Sequence, residues 1–446
     1  MKIVIAGAGE VGSYLARMLV ADNHDIIIID VDESRLKYID STLDVMTLQG
    51  LATSPRVLSD AIGKRCDLFV AVTMSEDTNI TSAILAKRLG AKKTFARIDN
   101  VEFTADGVWD FFQALGIDHL IDPEMIAAKE ITTLLQSTGT TEYMEFSDGK
   151  LMLFVQKLEE NAPILNRTLR EIAESYEMMH YRAVAIKRDE KTIIPRGSEQ
   201  FQKGDLVFVI CTREGIDDMM KFSGKENFET RRLMILGGSR IGKHVAYTMQ
   251  RQSDVKLIDI EMAKCQTLAD LLESTLVING DGRDFELLQE EGIQKMDAFI
   301  AVTGNSETNI LSCLLAKKLG VKKTIAEVEN MEYISLAEAT GIDTIINKKL
   351  SATSKIIRHT ASPNIMEIKY MTGTEAEAYE FLVPEGARIT RGTLREIGFP
   401  KGAIVGGGVR GDRPYIATGS TRIAAGDKVV IFNLPDTIDK VSRFLA

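Results

Sequence analysis

Apolar residues arrive along this chain in short runs separated by stretches of helical spacing, and that alternation predicts its elements. Lys2-Ile3-Val4-Ile5-Ala6 is a β-branched apolar run and reads as a buried strand. A glycine-rich turn and a helix-spaced segment, 13–20, come next. A turn at Asp22-Asn23-His24 then leads to a second apolar run, 26–29, which ends on Asp30. Further strands are predicted over 44–48, 67–73, 94–98 and 119–121, with helical stretches at 77–89 and 105–115. Strands alternating with helices imply a parallel sheet covered on both faces, with right-handed crossovers. From about residue 140 the pattern changes to strands at 151–157, 181–187, 192–195 and 205–210. Thr168-Leu169-Arg170-Glu171-Ile172 opens a short helix there, and Gln202-Lys203-Gly204-Asp205 reads as the turn before the last strand.

The second half repeats the first. Asp67-Leu68-Phe69-Val70-Ala71-Val72-Thr73 recurs as Asp297-Ala298-Phe299-Ile300-Ala301-Val302-Thr303, and Thr78-Asn79-Ile80 recurs as Thr308-Asn309-Ile310. Leu85-Ala86-Lys87-Arg88-Leu89-Gly90 matches Leu315-Ala316-Lys317-Lys318-Leu319-Gly320 at the same offset of 230, which also carries Gly7 onto Gly237 and Gly12 onto Gly242. Thr393-Leu394-Arg395-Glu396-Ile397 repeats the pentapeptide at 168–172, and Ala425-Gly426-Asp427 again precedes a strand, 428–432. A unit of half the chain is duplicated, in contrast to a short solenoid repeat. The polar stretch at 223–230 reads as the linker between the halves.

Chemistry enters at Gly7-Ala8-Gly9-Glu10-Val11-Gly12, which lies between the first strand and the first helix. Strand, G-x-G-x-x-G, helix, strand and terminal acid is the order of a dinucleotide-binding βαβ unit. Gly7 allows the tight turn, Gly9 lets backbone approach a pyrophosphate, and Gly12 lets helix and strand pack closely. The pyrophosphate would sit on the positive end of the helix, and Asp30 is placed to accept hydrogen bonds from ribose hydroxyls. An acid there repels a 2′-phosphate, which favours NAD(H) over NADP(H). The other reading of the motif is a unit that keeps its glycines for packing alone. Glu10 is the discordant residue, adding negative charge beside the phosphate position unless it points to solvent and complements the helix dipole. Ligands bind beyond the carboxyl ends of such strands, which puts the glycine loop, Asp30, 49–51, 73–75 and Arg97 on one rim. Arg97 has two readings, a partner for phosphate oxygens or a member of a surface ion pair.

Composition narrows the function classes. A length of 446 residues predicts roughly two to four domains. A net charge of −10 with no basic face argues against nucleic-acid binding. Apolar runs such as 206–211 stop far short of the ~20 residues that span a bilayer, and the first residues already form a strand in place of a signal peptide. Cys66, Cys211, Cys265 and Cys313 show no CxxC spacing and read as core residues in a reducing compartment, so a cytosolic location is expected. His24, His119, His180, His244 and His359 are not at metal-ligand spacing, and no G-x-S-x-G elbow or Walker A lysine is present. Glu159-Glu160 and Glu290-Glu291 read as solvated faces, so no catalytic group and no metal site is expected.

Two tandem units, each a nucleotide-binding domain plus a small C-terminal domain, resemble the KTN/RCK proteins that regulate potassium transport. The resemblance covers the whole chain. It is carried by Gly7 to Gly12, Ile28-Ile29-Asp30, Ala71-Val72-Thr73 with Asp77-Thr78-Asn79-Ile80 shortly after, and the Gly204-Asp205 turn. It implies an α/β architecture of two Rossmann-like doubly wound parallel-sheet domains, each followed by a small α+β RCK C-terminal domain. The limits expected are 1–137, 138–222, 231–360 and 361–446. It also implies a regulatory subunit without catalytic activity of its own, assembled as a tetrameric ring under a membrane potassium-translocating subunit. Such a protein is cytoplasmic, peripheral at the inner face of the cell membrane through its partner, and not inserted itself. NAD(H), or ATP or ADP, would bias the shape of that ring.

By position, the resemblance puts Gly7, Ala8, Gly9, Glu10, Val11, Gly12, Asp30, Thr73, Met74 and Arg97 against a dinucleotide. Gly50-Leu51-Ala52-Thr53 stands where the family commonly has Gly-Asp-Ala-Thr. Leu51 lacks the acid's hydrogen bonds but suits an adenine face. The second half offers Gly237, Gly238, Ser239, Arg240, Ile241, Asp259, Asp281 and Thr303, with Glu327 where Arg97 stands. A weaker second site, one for another nucleotide, or a scaffold domain all fit these departures. The apolar residues of segment 123–135 need a partner, either a neighbouring unit or their own. Two other functions fit the sequence: an NAD-dependent dehydrogenase, and a regulator of a different cation transporter such as a cation/proton antiporter.

Overall fold

The structure, a computed structural model, describes residues 1–21, 24–105, 107–136, 142–174, 180–189, 191–223, 228–357, 365–371 and 374–445. Most of the expected turn at 22–24, both domain limits near 137 and 360, half of the linker and His359 lie outside the described residues. The chain forms two compact units, Met1–Ala127 with Asn347–Ala361, and Ala128–Ile346 with Ser362–Ala446.

In the first unit, strands β1 (Lys2–Ala6), β2 (Asp25–Asp30), β3 (Met46–Gln49), β4 (Cys66–Ala71), β5 (Ala91–Arg97) and β6 (His119–Ile121) form one parallel sheet. Their order is β3-β2-β1-β4-β5-β6, so the strand order reverses between β1 and β4. Helices α1 (Glu10–Ala21), α2 (Glu33–Thr42), α3 (Pro55–Ile62), α4 (Glu76–Arg88) and α5 (Val108–Ala114) connect the strands. The residues of β4 are buried throughout, as an unbroken apolar run in a sheet covered on both faces must be. Asp67 is the polar exception. Its carboxylate accepts from Lys2 N at 3.0 Å and pairs with Lys92 and Arg65, which pins the start of β1 to β4. Of the stretch 105–115, expected as one helix, Val108–Ala114 forms α5, and a separate 3₁₀ turn at Val101–Thr104 precedes it. Gly107, at φ 81°, sets the later start.

Helix α6 (Pro123–Gln136) begins in the first unit, and from Ala128 onward it belongs to the second. There Ile131, Leu134 and Leu135 are buried, and the Leu135 carbonyl accepts from Thr230 Oγ1 at 2.9 Å. Thr230 belongs to the same compact unit as this part of the helix.

The second unit starts with a small antiparallel sheet of β7 (Glu142–Phe146), β8 (Leu151–Lys157), β9 (Tyr181–Arg188), β10 (Lys191–Ile193) and β11 (Leu206–Thr212). Helices α7 (Leu169–Glu174) and α8 (Ile216–Ser223) accompany it. A second parallel sheet comes next: β12 (Arg232–Leu236), β13 (Asp254–Asp259), β14 (Thr275–Asn279), β15 (Ala298–Ala301), β16 (Lys323–Glu327) and β17 (Thr344–Ile346). Its order, β14-β13-β12-β15-β16-β17, repeats the first. Its helices are α9 (Arg240–Met249), α10 (Met262–Leu271), α11 (Phe285–Glu290), α12 (Ser306–Lys318) and α13 (Met331–Ala339). The next helix, α14 (Lys348–Ile357), belongs to the first unit and packs against α1.

The last module is again antiparallel, with β18 (Ile365–Tyr370), β19 (Glu377–Leu382), β20 (Ala403–Arg410), β21 (Arg413–Ile416), β22 (Lys428–Asn433) and a terminal helix α15 (Ile438–Ser442). The two small sheets share one core, in which Phe146, Phe208 and Ile210 meet Ala378, Val430 and Phe432. The repeated pentapeptide folds differently in its two places. At 168–172 it opens α7, whereas at 393–397 it forms turns, because Gly398 at φ 64° and Pro400 stop the helix at once. Both copies keep the capping contact, Glu171 to Thr168 N at 2.7 Å and Glu396 to Thr393 N at 2.9 Å. That bond holds both glutamates below the usual carboxylate range.

Candidate functional site

The carboxyl ends of β1, β2, β4 and β5 bring the predicted rim together at the strand-order switch point of the first sheet. Gly7 leaves β1 at φ 112°, and a Cβ added there would lie 2.9 Å from Val72 O. A Cβ on Gly12 would lie 1.9 Å from Gly7 O, so the third glycine lets α1 press onto the loop. Gly9 is different: a Cβ there meets nothing within 4 Å. Two glycines are therefore demanded by the fold, and the middle one meets no such demand among the described residues. Ala8 and Val11 are buried, so from these two positions only backbone reaches a ligand.

Asp30 accepts from Ala8 N at 2.6 Å through one oxygen and from Asp32 N at 2.9 Å through the other. It braces the glycine loop as well as closing β2, and each oxygen retains a second lone pair for a ribose hydroxyl. Just beyond the strand ends, Val31, Leu51 and Met74 are 59%, 62% and 86% exposed, an apolar edge suited to a base. Arg97, at the end of β5, pairs with Asp99 at 3.2 Å and faces Glu124 at 3.8 Å. Arg97 is thus held in an ion pair, while its buried Nε has no hydrogen-bond partner among the described residues. The residues present fit a dinucleotide: an open loop at a helix start, a braced acid, apolar ledges and an unsatisfied cationic donor.

One residue essential to this geometry has no role assigned by its sequence pattern. Asn79 is buried; its Oδ1 accepts from Thr73 N at 2.8 Å and Thr73 Oγ1 at 2.7 Å. Its Nδ2 donates to Thr73 O at 3.1 Å and Arg97 O at 3.0 Å. Asn79 thus clamps the ends of β4 and β5 to α4. Its recurrence as Asn309, with the same bonds to Thr303 and to Glu327 O, is the signal that could have found it.

The comparisons with known proteins agree with this architecture. Residues 3–123 and 233–348 match the TrkA-N domain, and residues 156–224 and 378–446 match the TrkA-C domain. The chain belongs to the TrkA family. A relative named Trk system potassium uptake protein TrkA homolog, from Archaeoglobus fulgidus, is 35% identical over 99% of both chains. The Trk system potassium uptake protein TrkA of Vibrio alginolyticus is 32% identical over 97% of this chain and 95% of its own. Among solved structures, the GsuK channel bound to NAD superposes with a TM-score of 0.61 at 15% identity, over 100% of this chain and 78% of that one. GsuK bound to ADP gives 0.51 at 13% identity, over 80% and 68%. At these identities the likeness shows the fold.

The second TrkA-N module rebuilds the frame and alters the surface. Gly237, at φ 108°, and Gly242 repeat the steric roles of Gly7 and Gly12, and Asp259 braces Gly238 N at 2.7 Å. Ser239, in the position of Gly9, turns its hydroxyl onto Gly242 N at 3.3 Å and so caps α9 from within the protein. Ile241 is buried, and Thr303 is held by Asn309. Arg240 is partly exposed at the start of α9. Asp281 is bound by Arg283 Nη2 at 2.6 Å, which lowers its pKa. Glu327 is buried where Arg97 stands in the first module. The four cysteines are free and buried, and burial pushes the Cys66 thiol up to about 11. Among the described residues there is no cluster of metal-ligating side chains and no helix long and apolar enough to cross a membrane.

Proposed function

We propose that this chain is the regulatory subunit of a potassium-uptake system, and that NAD(H) bound at the rim of the first parallel sheet sets its regulatory state. The family and its relatives' names support the potassium-uptake role. The observation that carries the ligand is the Gly9 loop. Its openness serves no packing need, and it lies beside the braced Asp30 and the unsatisfied Nε of Arg97. Bound there, the cofactor supplies no chemistry. Its role is differential affinity for two arrangements of the modules.

In this proposal Gly7 to Gly12, Asp30, Leu51, Thr73, Met74 and Arg97 form the ligand-binding set, and ADP or ATP shares its adenine and phosphate chemistry. The second rim, with Gly237 to Ile241, Asp259, Asp281 and Thr303, binds more weakly. Ser239 already satisfies a helix-start donor there, and the buried Glu327 opposes an anion. The modules keep the limits 1–137, 138–222, 231–360 and 361–446. The chain acts in the cytoplasm as a homotetrameric ring at the inner membrane face, on a TrkH-like potassium-translocating subunit, and is not an enzyme.

Calorimetric titration of NAD⁺, NADH, ATP and ADP into the full chain and into Asp30→Ala tests the ligand. Tight binding weakened in the variant supports the proposal. No binding by any of the four removes the sensor and leaves a duplicated scaffold.

A further inference from the structure

Glu10 places an acid at the start of α1, on the loop that would hold the phosphates, and the structure shows what it does there. Its carboxylate pairs with Lys349 Nζ, on α14. The adjacent Lys348 approaches Glu124 at 4.0 Å, and Glu124 faces Arg97 at 3.8 Å. A line of ion pairs thus runs from the end of β5, through the start of α6, to α14 and back to the glycine loop. The two lysines come from the other half of the chain, yet they belong to the same compact unit as the first rim.

The two members of the Glu10–Lys349 pair differ sharply in burial. Lys349 is 7% exposed, whereas the Glu10 side chain is 73% exposed. A buried ammonium must keep an anionic partner, because desolvation without one is costly. An exposed carboxylate can turn to water at little cost, since a charge that water can solvate gains little from an ion pair. A phosphate on the glycine loop would bring several charged acceptor oxygens to the same place and outcompete a single mobile carboxylate.

We propose that Lys349 is a phosphate-binding cation of the first nucleotide site, with Glu10 as the counter-ion that the nucleotide's phosphates displace. This rests on the first rim being the nucleotide site. Occupancy is then felt directly by α14, a helix of the second half, through a change of partner at Lys349. The acid in the glycine motif ceases to be discordant: it holds the cation in place and is the group that yields.

The test is titration of the full chain with NADH and, separately, with adenosine, which lacks phosphate. Lys349→Met is expected to weaken NADH binding by about tenfold or more, the scale of one charge-assisted hydrogen bond, and to leave adenosine binding unchanged. Lys349→Arg keeps the charge and restores most of the NADH affinity. Glu10→Gln strengthens NADH binding several-fold, and that gain disappears when combined with Lys349→Met. Hydrogen exchange of α14 slows on adding NADH to the wild type and does not in Lys349→Met. If Lys349→Met binds NADH within twofold of wild type, the assignment is overturned. If that variant does not fold, Glu10→Gln decides: stronger NADH binding supports the assignment and unchanged binding overturns it. A wild-type chain that binds neither NADH nor adenosine refutes instead the reading of the rim itself.

Discussion

Replacing Gly9 by alanine separates the part of the glycine loop that folds the protein from the part that holds a ligand. An added Cβ at Gly9 meets nothing within 4 Å, and its backbone is not in the left-handed region, so the variant has no steric reason to lose stability. Gly9 O accepts from Ser13 N at the start of α1, where alanine is a poorer cap than glycine, so the gain from a less flexible unfolded chain is offset and stability should stay within about 1 kcal/mol of wild type. Gly12→Ala is the opposite case. Its Cβ would lie 1.9 Å from Gly7 O, and forcing α1 away from the loop costs about 1–3 kcal/mol or more. For NADH the ranking reverses in kind. The methyl of Gly9→Ala stands where a pyrophosphate must approach backbone, so affinity falls at least about tenfold, or ~1.4 kcal/mol, in a protein of near wild-type stability. Thermal denaturation and NADH titration of both variants measure the two effects. Ser239, at the matching place in the second half, shows that a side chain is accommodated there. A Gly9→Ala protein that is stable and binds NADH within twofold of wild type would refute the placement of the pyrophosphate.

Three further outcomes rest on particular contacts. Asn79→Ala strips partners from Thr73 N, Thr73 O and Arg97 O, which should cost about 1–3 kcal/mol, speed hydrogen exchange at the Thr73 amide and weaken NADH binding. Lys92, Lys2 N and Arg65 hold the Asp67 carboxyl well below its usual range. Its stabilising contribution is therefore complete above the unfolded value, about pH 4, and is lost as pH falls toward the folded one. The acid-induced drop in melting temperature should be smaller in Asp67→Asn, which starts from a lower value at pH 7. Gly406→Val would set a side chain 2.7 Å from Phe432 Cε2 and 3.0 Å from Ile210 Cγ2, between the two small sheets. Overpacking there should destabilise by about 1–3 kcal/mol in chemical denaturation.

What the sequence disclosed was what short-range constraints dictate. Gly7 and Gly12 answer to backbone geometry within a few residues, and the β-branched runs answer to a doubly covered sheet, so both were readable in order and in both halves. The constant offset of the repeat then carried one module's reading onto the other. Tertiary partners were not readable in this way. Asn79 recurs as Asn309, but its role depends on carbonyls that only the folded sheet brings together. Glu10 looked misplaced because its partner, Lys349, lies in the other half of the chain. The identical pentapeptides at 168–172 and 393–397 fold differently because their next residues differ, Ala173-Glu174 in one case and Gly398-Phe399-Pro400 in the other.

The central claim, nucleotide-regulated potassium uptake, is tested most directly by potassium flux into vesicles. A TrkH-like membrane subunit would be reconstituted with this protein, with and without NADH, using the wild type and Gly9→Ala. The account predicts that NADH changes flux only when the wild-type chain is present, and that Gly9→Ala assembles but no longer responds. Flux that is the same with and without this protein, or a response to NADH that survives intact in Gly9→Ala, would contradict it.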